Sequence, residues 1–256
     1  MKNRTVRCRL VFLLLAGLFV ILAALSFSVG SVSLSLRDMC EILSGADRES
    51  TAFHILWDIR LPRFFAAALL GGALSVSGFL LQTFFANPIA GPFVLGISSG
   101  AKLVVAFVMI LFLGKGLFMG SASMIVAAFA GSMLSMGFVL VIARRVRQMP
   151  VLVVCGVMIS YICSAITDFV VTFADDANIV NLHNWSMGSF SGTTWDQVRV
   201  MAAVVLPVSV LSFCMAKPIS AYQLGEEYAR SLGVNAKRFR AELILLSSIL
   251  SACVTA

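Results

Sequence analysis

Long apolar runs separated by short polar breaks make up most of this chain. Runs of about 18 or more apolar residues read as membrane-spanning helices. The pattern predicts helices over Leu10–Val29, Phe64–Phe85, Phe93–Leu113, Leu117–Ala143, Val151–Phe173, Val198–Ala216 and Ala241–Ala256. No period-two alternation is sustained, which sets aside a β-barrel. The fold class is therefore all-α: a polytopic membrane protein with one transmembrane domain over 1–256 and a polar interruption at 220–233. The last run is short. From Ala241 to Ala256 a helix rises only ~24 Å against a hydrocarbon core of ~30 Å, so the chain is expected to stop in mid-membrane.

Composition agrees with the pattern. Hydrophobic residues are 60% and charged residues 12% of the 256, whereas soluble domains run at about 45–50% and about 25%. The net charge of +7 is not a nucleic-acid signal, because the cations gather at helix ends and form no basic face with interleaved aromatics. With the N-terminus in the cytoplasm, most of the nineteen lysines and arginines fall on the inner side and most of the twelve acids on the outer, as the positive-inside rule requires. The opening "MKNRTVRCR" could begin a secretory signal, but the apolar stretch after it exceeds the usual h-region, so it reads as an uncleaved anchor. The six cysteines form no CxxC pair, and His54 and His183 stand far apart. Neither a disulfide framework nor a metal centre is predicted.

Several motifs bear on function. "GISSG" (Gly96–Gly100) matches a nucleophile elbow, but that motif needs a strand-to-helix turn with an acid and a histidine downstream. No Walker-type phosphate loop occurs. Asp168 is an ionisable group inside an apolar run, which marks it as a possible pathway residue. "IRLPRFFAAALLGGALSVSGFLLQ" (Ile59–Gln82) places Arg60 and Arg63 around Pro62 at a helix entry. Its small residues Ala68, Gly71, Gly72, Ser75 and Gly78 suggest close helix packing. "NPIAGPFVLGISSGAK" (Asn87–Lys102) is a Gly/Pro/Ser ribbon between apolar runs. Non-helical backbone near membrane depth is tolerated where it is buried in protein or lines a watery cavity, so this ribbon suits a gate. "LGEEYARSLG" (Leu224–Gly233) is a short amphipathic helix with an acidic start, a basic end and a glycine stop, too polar to span and suited to contact a soluble partner.

Taken together, "RLPRFFAAALLGGALSVSGFLLQ", "NPIAGPFVLGISSGA", "VVCGVMIS", "NWSMGSFSGTTW" and "LGEEYARSLGV" resemble the permease subunits of bacterial ABC importers for iron–siderophores, haem and vitamin B12, the FecCD family. Their order and spacing agree over essentially the whole chain. The resemblance implies an ABC type II importer permease fold, with about seven of an expected ten transmembrane helices present. It also implies a chain that is a fragment or a truncated product. "RFRAELILLSSILSA" weakly echoes "LPRFFAAALLGGALS", as an inverted repeat would.

The implied assembly is a homo- or heterodimer of permease subunits in a lipid bilayer, with two ATP-binding subunits beneath and an extracytoplasmic substrate-binding protein above. This chain would bind no cofactor; ATP and Mg belong to the partner ATPase, and no nucleic acid is involved. Carried over by motif, Arg60 and Arg63 would meet the binding protein, and Asn87, Pro88 and Ile89 would form the cytoplasmic gate. Leu224, Gly225, Glu226, Glu227, Ala229, Arg230, Leu232 and Gly233 would form the coupling helix. Lys102 and Asp168 depart from the neutral residues expected at their places. The expected function is transport of an iron–siderophore across the bacterial inner membrane, without chemical catalysis by this chain. The rivals are a cobalamin or haem permease, a non-functional permease remnant, and an intramembrane enzyme using Ser98 or Asp168.

Overall fold

The computed structural model describes residues 2–30, 32, 50–110, 121–146 and 149–256. Among them every regular element is helical. Arg37, Cys40, Arg48 and Lys115, and the ends of two expected helices at 111–120, lie outside the described residues. The chain divides into two compact units, Met1–Ala68 with Phe190–Val200, and Leu69–Ser189 with Met201–Ala256.

The first unit opens with α1 (Lys2–Ser28). From Leu10 onward it is apolar on every side, and Phe12, Leu13 and Leu14 are all exposed, which is the arrangement of a helix solvated by lipid. A short helical turn, Thr51–His54, follows later in the chain, capped by Ser50 Oγ accepting from the Phe53 N–H at 3.2 Å. It leads into a π-helical turn at Ile55–Arg60 and then into α2 (Leu61–Phe85). Pro62 explains the π turn. It has no N–H to donate, and the preceding Leu61 N–H reaches back five residues to the Leu56 carbonyl, so the helix continues through the proline instead of breaking. The helical run thus begins at Thr51, well before the expected Phe64. Trp57, Phe65 and Trp195 cluster beside this turn, with the Trp195 Nε1–H donating to the Trp57 carbonyl at 2.9 Å.

The second unit holds most of the core. It comprises the remainder of α2, then α3 (Ile97–Val108), α4 (Ser121–Arg145), α5 (Met149–Val171) and α6 (Asp176–Met187). Most of α7 (Trp195–Cys214), α8 (Ala216–Gln223), α9 (Glu226–Ser231) and α10 (Ala236–Thr255) complete it. Among the described residues, five helical stretches are long and apolar enough to cross a membrane: Thr5–Ser28, Thr51–Phe85, Ala122–Ala143, Pro150–Val171 and Trp195–Cys214. The other two expected spans differ. In the ribbon region the helix starts only at Ile97, after a 3-10 turn at Pro92–Leu95. The last helix begins at Ala236, not Ala241, because the Asn235 side chain caps it by accepting from the Arg238 N–H at 3.2 Å. Its 20 residues rise ~30 Å, enough to match the hydrocarbon core.

Two helices were not anticipated. α6 occupies what reads as an acidic outer loop: the Asp175 carbonyl accepts from Asn178 and Ile179, and Leu182 packs into a core with Ala101 and Val105. α8 buries Ile219, Ala221 and Tyr222. α7 begins with a capping box, in which the Thr194 N–H donates to Gln197 Oε1 at 3.0 Å and the Gln197 N–H returns to Thr194 Oγ1 at 3.4 Å, satisfying two donors of the first turn.

Tight packing is not where α2 advertises it. Gly71, Gly72 and Gly78 face open space. The close crossing is between α3 and α4, where a Cβ on Gly131 would lie 2.3 Å from the Gly100 carbonyl oxygen. α2 meets α10 differently. The Ser77 hydroxyl donates to the Ser247 carbonyl at 2.9 Å, and the Ser247 hydroxyl donates to the Ser77 carbonyl at 3.1 Å. Ser251 Oγ lies 2.5 Å from Ser77 Oγ.

Candidate functional site: the ribbon and the polar segment on one core

The site is built at the end of α2. After Phe85 the chain leaves the helix through Ala86, a non-glycine residue at φ +48°. A tight turn over Asn87–Ala90 follows, with the Ala90 N–H donating to the Asn87 carbonyl at 3.2 Å. Asparagine first and proline second are what such a turn favours, and Asn87 Oδ1 also accepts from the Ile89 N–H at 2.9 Å, an Asx turn. Asn87, Pro88 and Ile89 are all exposed, Ile89 at 88%. Both flanks are anchored: Phe84, Phe85, Ala90, Leu95 and Ile97 are buried in one core cluster. At Gly96, φ is +75° and a Cβ would crowd the Gly156 carbonyl at 3.3 Å, so glycine is required there to turn the ribbon into α3.

The polar segment rests on the same cluster. Ile219, Tyr222, Ala229 and Phe239 belong to it, and Val234 packs against it. Gly225, at φ +125°, opens α9, and Glu226 and Glu227 occupy the first turn with Arg230 in the last, as the helix dipole favours. The exit is a Schellman cap: the Gly233 N–H donates to the Arg230 carbonyl at 2.9 Å and the Val234 N–H to the Ala229 carbonyl at 3.0 Å. Arg230 bonds to Glu226 and lies 3.8 Å from Glu227. Ala229 faces inward, while Leu224 (71% exposed), Tyr228 (49%) and Leu232 (60%) face out. These three line a shallow hollow of about 390 Å³ with Lys217 and Ser220.

Side-chain contacts join the two parts. The Gln223 Nε2 amide, just before Gly225, donates to Thr83 Oγ1 in the last turn of α2 at 3.2 Å. The Arg240 guanidinium lies 5.5 Å above the Phe84 ring, and the Tyr222 and Phe239 rings meet at 5.3 Å. Burial pushes the Tyr222 phenol above its ordinary range, a rise that Arg240 opposes, Glu226 reinforces and Arg230 opposes. It is a neutral phenol near pH 7.

The remaining expected residues sit apart. Arg63 is exposed. Arg60 is buried, at 8% exposure, and its guanidinium donates to the carbonyls of Phe27 and Val32. It therefore satisfies an acceptor at the C-terminal end of α1 that has no intrahelical partner. Gly30 makes room for it, since a Cβ there would lie 2.7 Å from the Arg60 Nη2 atom. Asp168 is exposed near the end of α5, as are Tyr161 and Phe169 on the same helix. Ser98 lines a small cavity with Leu74, Pro92, Phe93, Ile97, Ser251, Val254 and Thr255; that lining contains neither the histidine nor the acid that a nucleophile elbow needs. Among the described residues no three His, Cys, Asp or Glu side chains gather as a metal would require.

Comparison with known proteins places these elements in a family context. Residues 18–256 match the model of the FecCD transport family. The hemin transport system permease protein of Yersinia pestis is 34% identical over 249 residues, covering 97% of this chain and 73% of that protein. The vitamin B12 import system permease protein of Vibrio parahaemolyticus is 36% identical over 258 residues, covering 99% of this chain and 73% of its own length. A solved inward-facing conformation of a metal-chelate type ABC transporter superposes with a TM-score of 0.81 at 24% identity, covering 95% of this chain and 74% of that one; it shares the fold.

Proposed function

The chain belongs to the FecCD transport family and is an ABC importer permease, and from that premise we propose that it carries a metal chelate inward across the bacterial cytoplasmic membrane. Hemin and vitamin B12, named for the two relatives, are both metal chelates. The expectation of an iron–siderophore thus widens to that class, within which an iron–siderophore remains the member we propose and haem and cobalamin the alternatives. ATP hydrolysis belongs to partner subunits. In this reading the N-terminus is cytoplasmic, Arg63 faces the substrate-binding protein, and Asp168 lines the path beside a second permease subunit.

One observation carries the mechanism: the exposed turn at Asn87–Ile89 and the segment Leu224–Gly233 stand on one buried cluster and are tied by the Gln223–Thr83 bond. A rigid core passes displacement on instead of absorbing it. An ATPase gripping Leu224, Tyr228 and Leu232 would therefore move the last turn of α2, and with it the gate. Arg60 has no docking role here, being engaged within the chain.

The test uses the full gene product with its ATPase and binding protein in proteoliposomes. Tyr228→Asp with Leu232→Asp should abolish co-purification of the ATPase and uptake of a labelled iron–siderophore. Wild-type yield of the complex would sink the coupling assignment. Uptake of haem or cobalamin in place of the siderophore would reassign the substrate, and unchanged binding-protein affinity in Arg63→Glu would remove Arg63 from the docking surface.

A further inference from the structure

A second cavity, of about 600 Å³, opens between the end of α4, the segment α9 and the first turns of α10. Its lining mixes two chemistries. Leu140 from α4, Val146 just past the end of that helix and Ile244 from α10 are apolar, while Lys237, Arg238 and Arg240 are basic. Arg230 and Glu226 line it too, bonded to each other. Arg238 is partly neutralised, with its Nε 2.8 Å from Glu242 Oε1. Lys237 makes no ion pair among the described residues, and Arg240 is held over the Phe84 ring. The positive end of the 20-residue α10 points to the same place and adds to the attraction for an anion.

We infer that this cavity holds an anionic phospholipid, its phosphate against Lys237 and Arg240 and its acyl chains along Leu140 and Ile244. Three features favour a lipid over a soluble phosphate compound. The cavity lies where an apolar helix of 25 residues, α4, ends, which is headgroup depth for a spanning helix. Half of its lining is apolar, which a free anion would not use. Basic pockets between spanning helices are known to take lipid headgroups. The inference needs only that α4 crosses a bilayer; it does not depend on which chelate is carried. Because Glu226 and Arg230 form part of the wall, an occupied cavity would also steady α9.

The test is lipid retention, read by native mass spectrometry of the full gene product released from nanodiscs of phosphatidylcholine mixed with phosphatidylglycerol. Phosphatidylglycerol should be retained in preference. Lys237→Gln with Arg240→Gln should lower its retention about 30-fold, as expected for two basic groups near an anionic surface, whereas Lys237→Arg with Arg240→Lys should keep it. Leu140→Trp, which fills the apolar half without changing charge, should lower retention as well. Equal retention of both lipids, or an unchanged double Gln variant, would overturn the proposal. Displacement of the lipid by inorganic phosphate, with Leu140→Trp having no effect, would mark a free-phosphate site instead. Loss of the ATPase subunit in the double Gln variant with lipid retention intact would assign the surface to that protein.

Discussion

The α3–α4 crossing and the α2–α10 crossing hold apolar helices together by different balances of the same means. The first brings two backbones into contact at Gly100 and Gly131, beside one long hydroxyl bond from Ser132 Oγ to the Ile97 carbonyl at 3.3 Å. The second keeps the helices a side chain apart and joins them through hydroxyls, Ser77 to Ser247 and Ser251. In lipid the hydrophobic effect does not drive helices together, so shape and hydrogen bonding must do it. A contact between backbones cannot relax by a rotamer change, while a hydroxyl can find its own helix again. The first crossing should therefore be brittle and the second forgiving.

That contrast can be broken at its strong end first. Gly131→Ala should destabilise the second unit by about 2–3 kcal/mol, the cost of overpacking a close contact, read as reversible unfolding in mixed micelles; a loss below a few tenths would refute the brittle reading. Ser77→Ala should cost about 0.6 kcal/mol and no more than about 1.7, the range for hydrogen bonds between membrane helices. A larger loss would make the ladder the dominant tie. Gly71→Ala and Gly78→Ala should be neutral or stabilising by about 0.5–1 kcal/mol, since alanine is the better helix residue and both positions face open space. If either weakens a two-subunit complex while leaving the lone subunit unchanged, that face of α2 packs against the second permease subunit.

The sequence made some of this visible and hid the rest for physical reasons. The spans were legible because hydropathy over a long window is a sum that a few residues cannot mask. The segment Leu224–Gly233 was legible because its acids, its arginine and its glycine stop follow the dipole and capping rules locally. The tight crossing was misplaced. Spacing of small residues shows which of them share a helix face, not which face meets a neighbour, and α2 carries three glycines against one in α3 and two in α4. Arg60 and Arg63 look alike in sequence, yet the π turn beside Pro62 accompanies an Arg60 buried against the end of α1 while Arg63 stays exposed. α10 begins before its apolar run because Lys237, Arg238 and Arg240 lower the hydropathy of a first turn that Asn235 nevertheless caps. α6 opens beside two aspartates, Asp175 and Asp176, whose polarity masks the helical spacing of Ile179, Leu182 and Trp185.

The serine ladder also sets an order in time. Gly100 and Gly131 sit on successive helices, so α3 and α4 can close on each other as soon as both have entered the bilayer. Ser77 must wait for a partner 170 residues further along the chain. Until α10 is synthesised, the inward face of α2 stands in the membrane with its hydroxyl unmatched across helices. Contacts this distant in sequence form late. Closing the ladder is thus a checkpoint of biogenesis, reached only when the ribbon and the polar segment have both been made.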